Sequence, residues 1–134
     1  MLITREVDYA IRIVRNLNTK EYKNIIDIAK KEYMTETIAH KVARILHKKG
    51  VVESKRGVDG GYCLSKSLDE LTLFDIYIAI VDKPAINECL LEGRECPINK
   101  ETGCGVHKEL RRIQDVLFEE FKKTPISHMS DSSL

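Results

Sequence analysis

The chain has no tryptophan and only 6% aromatic residues, so a protein that stacks single-stranded bases on aromatic platforms has little to build with. Long apolar runs are missing as well: nothing approaches the roughly 18 residues that a membrane-spanning helix needs. Charge at Arg5, Glu6 and Asp8, with no apolar run behind it, is not the form of a secretory leader, and a soluble cytoplasmic protein is expected. No nucleophile elbow, phosphate loop or usefully spaced carboxylate pair is present, so no enzyme is expected. Net charge is also nearly absent, at +1 over the whole chain. That total hides an asymmetry. Residues 1–66 hold 14 Lys/Arg against 8 Asp/Glu, net +6, while the remainder holds 8 against 13, net −5. A basic amino half fused to an acidic carboxyl half points to nucleic acid at one end.

What is present is 134 residues of 43% hydrophobic composition, enough for one core. In the basic half, Val7, Ile11, Val14 and Leu17 recur at helical spacing behind Thr4 as N-cap, predicting a helix over 4–18. Asn24-Ile-Ile-Asp27 has the form of a capping box for a short second helix ending near Glu32. After the Tyr33-Met34 turn, Thr35 caps a third helix with Ile38, Val42, Ile45 and Leu46 on one stripe, ending at Gly50. Two helices, a tight turn and a third helix with a polar amino end make a helix-turn-helix pattern. Strands are expected at 51–54 and 62–65, joined by Lys55-Arg56-Gly57-Val58-Asp59-Gly60-Gly61, a basic hairpin of the kind that forms a wing. Thr37, His40 and Lys41 then lie on the exposed amino-terminal face of the recognition helix. Lys55 and Arg56, with the Gly60 turn, are candidates for the phosphates or minor groove of double-stranded DNA, and Arg44, Lys48 and Lys49 for its phosphate backbone.

In the acidic half, Thr72-Leu-Phe-Asp75 is another capping box, opening a helix that stops by Pro84. From Ala85 to Gly105 periodicity vanishes. Beyond it, Val106, Leu110, Ile113, Leu117 and Phe121 step by four, three, four and four, a seam suited to a two-fold dimer. The expected division is 1–83 as winged helix-turn-helix, 84–105 as sensor loop, 106–123 as dimerisation helix and 124–134 as flexible tail. The fold class is mainly α with a small β-hairpin wing.

Three of the four cysteines, Cys89, Cys96 and Cys104, fall in the aperiodic loop, and His107 follows three residues after the last. In a reducing compartment such thiols are more plausibly ligands or redox centres than disulfides. The spacing lacks the two tight knuckles of a zinc ribbon. Three thiolates with one further nitrogen or oxygen suit an iron–sulfur cluster first and zinc second. Cys63 stands apart in the wing, as a small residue on a strand.

These pieces together resemble the IscR/NsrR/CymR family of bacterial winged-helix transcription regulators, of Rrf type, over nearly the whole length. The resemblance rests on Leu2-Ile-Thr-Arg-Glu-Val-Asp-Tyr-Ala10, on Ile38 to Gly50, on Val51-Val-Glu-Ser-Lys-Arg-Gly57 with Gly60-Gly-Tyr62, on Leu71-Thr-Leu-Phe-Asp-Ile76, and on the three-cysteine loop. It implies a homodimeric repressor on a palindromic operator, controlled by a 2Fe-2S or 4Fe-4S cluster on Cys89, Cys96 and Cys104. The fourth ligand it implies is either His107 or Asp8, the latter reaching across the dimer. Two alternatives remain: a cluster-free thiol-redox or zinc-dependent regulator of the same fold, and a winged-helix module that binds an acidic protein.

Overall fold

The computed structural model describes residues 2–98 and 103–131. Residues 99–102 of the expected sensor loop and 132–134 of the expected tail lie outside them. Helix α1, Arg5–Arg15, starts where Thr4 Oγ1 accepts the Val7 amide at 3.3 Å. Its acidic first turn, Glu6 and Asp8, and its basic last turn complement the helix dipole. Helix α2, Ile25–Lys31, is capped by Asn24, whose side chain accepts the Ile26 amide at 2.8 Å. Helix α3, Glu36–Lys48, is capped by Thr35.

Between α2 and α3 the chain reverses in one residue. Tyr33 adopts a left-handed φ of 56° and is almost wholly exposed, while the next amide, of Met34, bonds the Ala29 carbonyl at 3.0 Å. That bond closes the end of α2, and the buried Met34 side chain secures it against the core.

Strands β1, Val52–Lys55, and β2, Gly61–Leu64, pair antiparallel with Val52 opposite Leu64 and Lys55 opposite Gly61. The hairpin is therefore displaced by one residue at each strand from the expected 51–54 and 62–65. Near its turn, β2 makes a second pairing, in which Lys23 and Tyr62 exchange amide–carbonyl bonds of 2.9 Å. Helix α4, Leu73–Ile80, opens with the complete Thr72–Asp75 capping box, and helix α5, Gly105–Lys123, ends the acidic half.

One core joins these elements. Val7, Val14, Val42, Leu46, Val52, Ile76 and Tyr77 are all essentially inaccessible. The segment after α5, expected to fray, is instead part of this core. Leu73 donates to the Thr124 carbonyl and Ile126 to that of Leu71, both at 2.8 Å, and Ile126 is fully buried. The expectation rested on the segment's polar average, which overlooks that a single isoleucine can anchor a short turn, Ile126–Met129, against α1.

Under this turn lies a buried ion pair. Glu32, only 4% exposed, accepts two hydrogen bonds of 2.8 Å from the Arg15 guanidinium and one of 2.6 Å from the Asn16 amide. Arg15 also donates to the Met129 carbonyl at 3.3 Å. Burial pushes the Glu32 carboxyl up, but the hydrogen bonds from Arg15 and Asn16 and the charge of Arg15 outweigh it and hold the group below its ordinary range. Its stabilisation is thus complete above the unfolded carboxylate pKa, near 4.3, and is lost as pH falls through the lower folded value. Glu32→Ala leaves a guanidinium without its main partner, and urea unfolding at pH 7 is expected to show a loss of about 3 kcal/mol that shrinks toward pH 3.

Candidate nucleic-acid interface and sensor loop

Helix α3 turns Ala39, Val42, Ala43 and Leu46 inward and presents Thr37, Lys41, Arg44 and Lys48 to solvent, with His40 half-buried beside them. At 1.5 Å per residue the stripe from Thr37 to Lys48 runs about 17 Å. The wing stands against one flank of it, and the groove between them, about 500 Å³, is lined by His40, Arg44, Lys55, Arg56 and Gly60 together with Asn24. Five of the residues expected on DNA therefore share one cleft. Thr37 and Lys48 lie on the same helix without lining it. Lys41 is engaged already, through an ion pair with Glu6 of α1.

Asn24, Ser54 and Tyr62 also line the cleft and were not expected there. In the sequence Asn24 reads only as a helix cap, and the pairing of Tyr62 with Lys23, just before α2, joins residues far apart in sequence. Lys55 lies over the Tyr22 ring, 5.7 Å from its centroid. Cys63 is buried on β2, its thiol 4.0 Å from a Glu53 carboxylate oxygen. Burial of this kind matches its expected role as a small strand residue.

Two of the wing's three glycines, Gly60 and Gly61, serve close approach. A Cβ on Gly60 would sit 2.2 Å from the Lys55 carbonyl oxygen, and one on Gly61, whose φ is +144°, would sit 2.1 Å from that of Lys23. Gly60 is thus a turn residue of the hairpin, its amide bonded to the Gly57 carbonyl at 3.0 Å.

In the acidic half, the described part of the loop is tied to α5. Gln114, buried to 7% exposure, accepts the Ile86 amide on its side-chain oxygen at 3.0 Å, and Leu90 is buried nearby in the short turn Glu88–Leu90. Cys89 lies in that turn and accepts a hydrogen bond from the Asn87 amide at 3.2 Å. Cys104 is the N-cap of α5, and none of the four cysteines is in a disulfide. One turn further on, His107 Nδ1 is buried with no hydrogen-bond partner among the described residues.

These donors are not gathered into one site: among the described residues no three His, Cys, Asp or Glu side chains stand close enough to hold a metal. Asp8 is occupied by Arg12, 3.1 Å away on its own helix. The donor types fit an iron–sulfur cluster, three thiols and an unbonded imidazole nitrogen, but this arrangement of the chain does not preassemble them.

The apolar seam of α5 divides. Phe121, expected at a dimer interface, turns into its own domain, its ring edge-on to Tyr77 with centroids 5.5 Å apart. Leu110 and Leu117 are half-buried, while Val106 and Ile113 stay exposed and are joined by Val116. The cause is periodicity. At about 100° per residue, the steps from Val106 to Phe121 overshoot four turns by about 60°, enough to carry the seam from the outer face onto the inner one.

A recognition helix flanked by a basic wing defines a winged helix-turn-helix DNA-binding transcription regulator. No helix among the described residues is long and apolar enough to cross a membrane. The Rrf2 family model, described as iron-dependent transcriptional regulator, matches residues 3–132, and the chain belongs to that family. A relative from Rhizobium meliloti, protein aau3, is 31% identical over 122 residues, covering 89% of this chain and 78% of its own. The fold is also that of CymR from B. subtilis, the global cysteine regulator, with a TM-score of 0.74 at 24% identity over 96% of this chain and 98% of that one. IscR from T. potens superposes with a TM-score of 0.69 at 17% identity over 94% and 83% of the two chains.

The Gly61 contact is directly testable. Gly61→Ala must move the wing off the Lys23 carbonyl, and chemical denaturation is expected to show a loss of about 2 kcal/mol.

Proposed function

We propose that this chain is a homodimeric, cytoplasmic repressor of a palindromic operator, controlled by an iron–sulfur cluster on Cys89, Cys96 and Cys104 with His107 as fourth ligand. The observation that carries this reading is the unbonded His107 nitrogen one turn past Cys104, at the head of a helix whose other end packs on the DNA-reading unit. The choice of His107 over Asp8 follows from the Arg12 pair that already occupies Asp8. When bound, such a cluster supplies a redox-active, oxidant-labile centre of soft ligands.

The chain's own residues carry the rest. Gln114 fixes one end of the loop to α5 through the Ile86 amide, and Cys104 fixes the other at its first turn. Phe118 and Phe121 seat α5 on Tyr77 and Phe74 of α4, with ring centroids between 5.5 and 5.7 Å apart. A change in how the loop orders itself therefore bears on a helix that is rigidly joined to the reading unit. In a dimer formed through the exposed Val106–Ile113–Val116 face, it alters the spacing of the two recognition helices.

A second reading, direct thiol oxidation without metal, is favoured by the donors' separation among the described residues. Anaerobic purification followed by iron and acid-labile sulfide analysis separates the two. The first reading expects a coloured protein whose cluster absorption is changed by His107→Ala and unaffected by Asp8→Ala. A colourless protein without iron, whose DNA binding still responds to diamide, establishes the second.

On DNA, Arg56→Ala is expected to weaken binding to all duplexes and to flatten the log–log salt dependence by about 1, as loss of a phosphate contact does. Thr37→Ala is expected to change which sequence is preferred while leaving the salt slope in place. Equal losses on operator and random DNA for both variants would refute this division of roles.

A further inference from the structure

The tightest ion pair among the described residues joins two elements of the reading unit that are 35 residues apart: Lys41 Nζ on α3 and Glu6 Oε1 in the first turn of α1. Lys41 stands on the outward stripe of α3, and its side chain is 62% exposed, that of Glu6 43%. Among the described residues, the other cations of this face, Arg44, Lys48, Lys55 and Arg56, form no ion pair. A carboxylate beside a polyanion-binding surface works against overall affinity. Beyond its place in the acidic first turn of α1, Glu6 is held against Lys41.

We propose that Glu6 is a positioning residue for sequence reading, which holds the Lys41 ammonium toward base edges and away from the phosphate backbone. This rests on α3 being the recognition helix. A lysine ammonium is a compact charge on a flexible stem with three donors, and near a duplex the strongest acceptors within its reach are phosphates, which carry no sequence information. Spending one donor on Glu6 restricts the stem and leaves the other two for acceptors in the groove, such as the O6 and N7 of guanine. Glu6 also keeps a negative charge where a phosphate would otherwise approach Lys41. The pair is too exposed to matter much to folding, so its removal leaves the fold intact.

The test begins with the duplex that the wild-type protein enriches from a random-sequence pool, and with a scrambled duplex of equal length. Affinities for both are measured over a salt series for wild type, Glu6→Gln, Lys41→Ala and the double variant, with thermal melts confirming folding. Glu6→Gln is expected to bind the scrambled duplex about threefold tighter, an amount in keeping with an exposed ion pair. Its salt slope is expected to steepen by about 0.9, one further phosphate neutralised. Its ratio of enriched to scrambled affinity is expected to fall. In the Lys41→Ala background the same substitution is expected to leave slope and ratio unchanged. Unaltered or weaker scrambled binding by Glu6→Gln overturns the proposal, and so does an identical effect in both backgrounds, which would make Glu6 a bare repelling charge. If the wild type enriches no duplex, the recognition-helix reading itself falls and the proposal with it.

Discussion

The arrangement of this protein turns on one buried carboxylate. Glu32 ends α2 immediately before the left-handed Tyr33, and Arg15 and Asn16 at the end of α1 hold it in place. A buried anion is tolerable only when its charge and its lone pairs are both met, and a bidentate guanidinium with one amide does so. The angle at which α3 leaves the turn is therefore set against α1. Because the same guanidinium reaches the Met129 carbonyl, the returning carboxyl segment is bound to the same point.

That shared anchor makes the basic and acidic halves one body. Helix α5 leaves the loop at Cys104, crosses α4 through an aromatic cluster of Phe74, Tyr77, Phe118 and Phe121, and hands the chain to Ile126 in the core. Packed interiors transmit strain because they do not deform continuously. Packing and hydrogen bonds thus link α5 and the segment that follows it to α1 and α4 and, through Arg15 and Glu32, to the turn before α3.

Local signals in the sequence were reliable where the physics is local. Thr4, Asn24, Thr35 and Thr72 cap the helices they were expected to cap, because a side-chain oxygen and an amide two or three residues ahead are brought together by the helix itself. The outward stripe of α3 followed from helical periodicity, and the Gly60-Gly61 step marked the wing. Contacts between distant segments were not legible in the same way. The Lys23–Tyr62 pairing, the Glu6–Lys41 ion pair and the Gln114–Ile86 hydrogen bond each depend on where whole elements dock. The cysteines were legible as a cluster in sequence, yet the described residues do not bring them together.

Composition and spacing by themselves determined a basic winged helix-turn-helix unit, an acidic half with three thiols in a loop, and a long closing helix, since these depend on residue identity and helical period. Tertiary structure decided which faces are free. It turned Phe121 inward because the seam's spacing exceeds the helical repeat, it buried Ile126 where a frayed tail was expected, and it placed Glu6 against Lys41. The physical reason is common to all three: burial and ion pairing are settled between elements, at distances that no local pattern encodes.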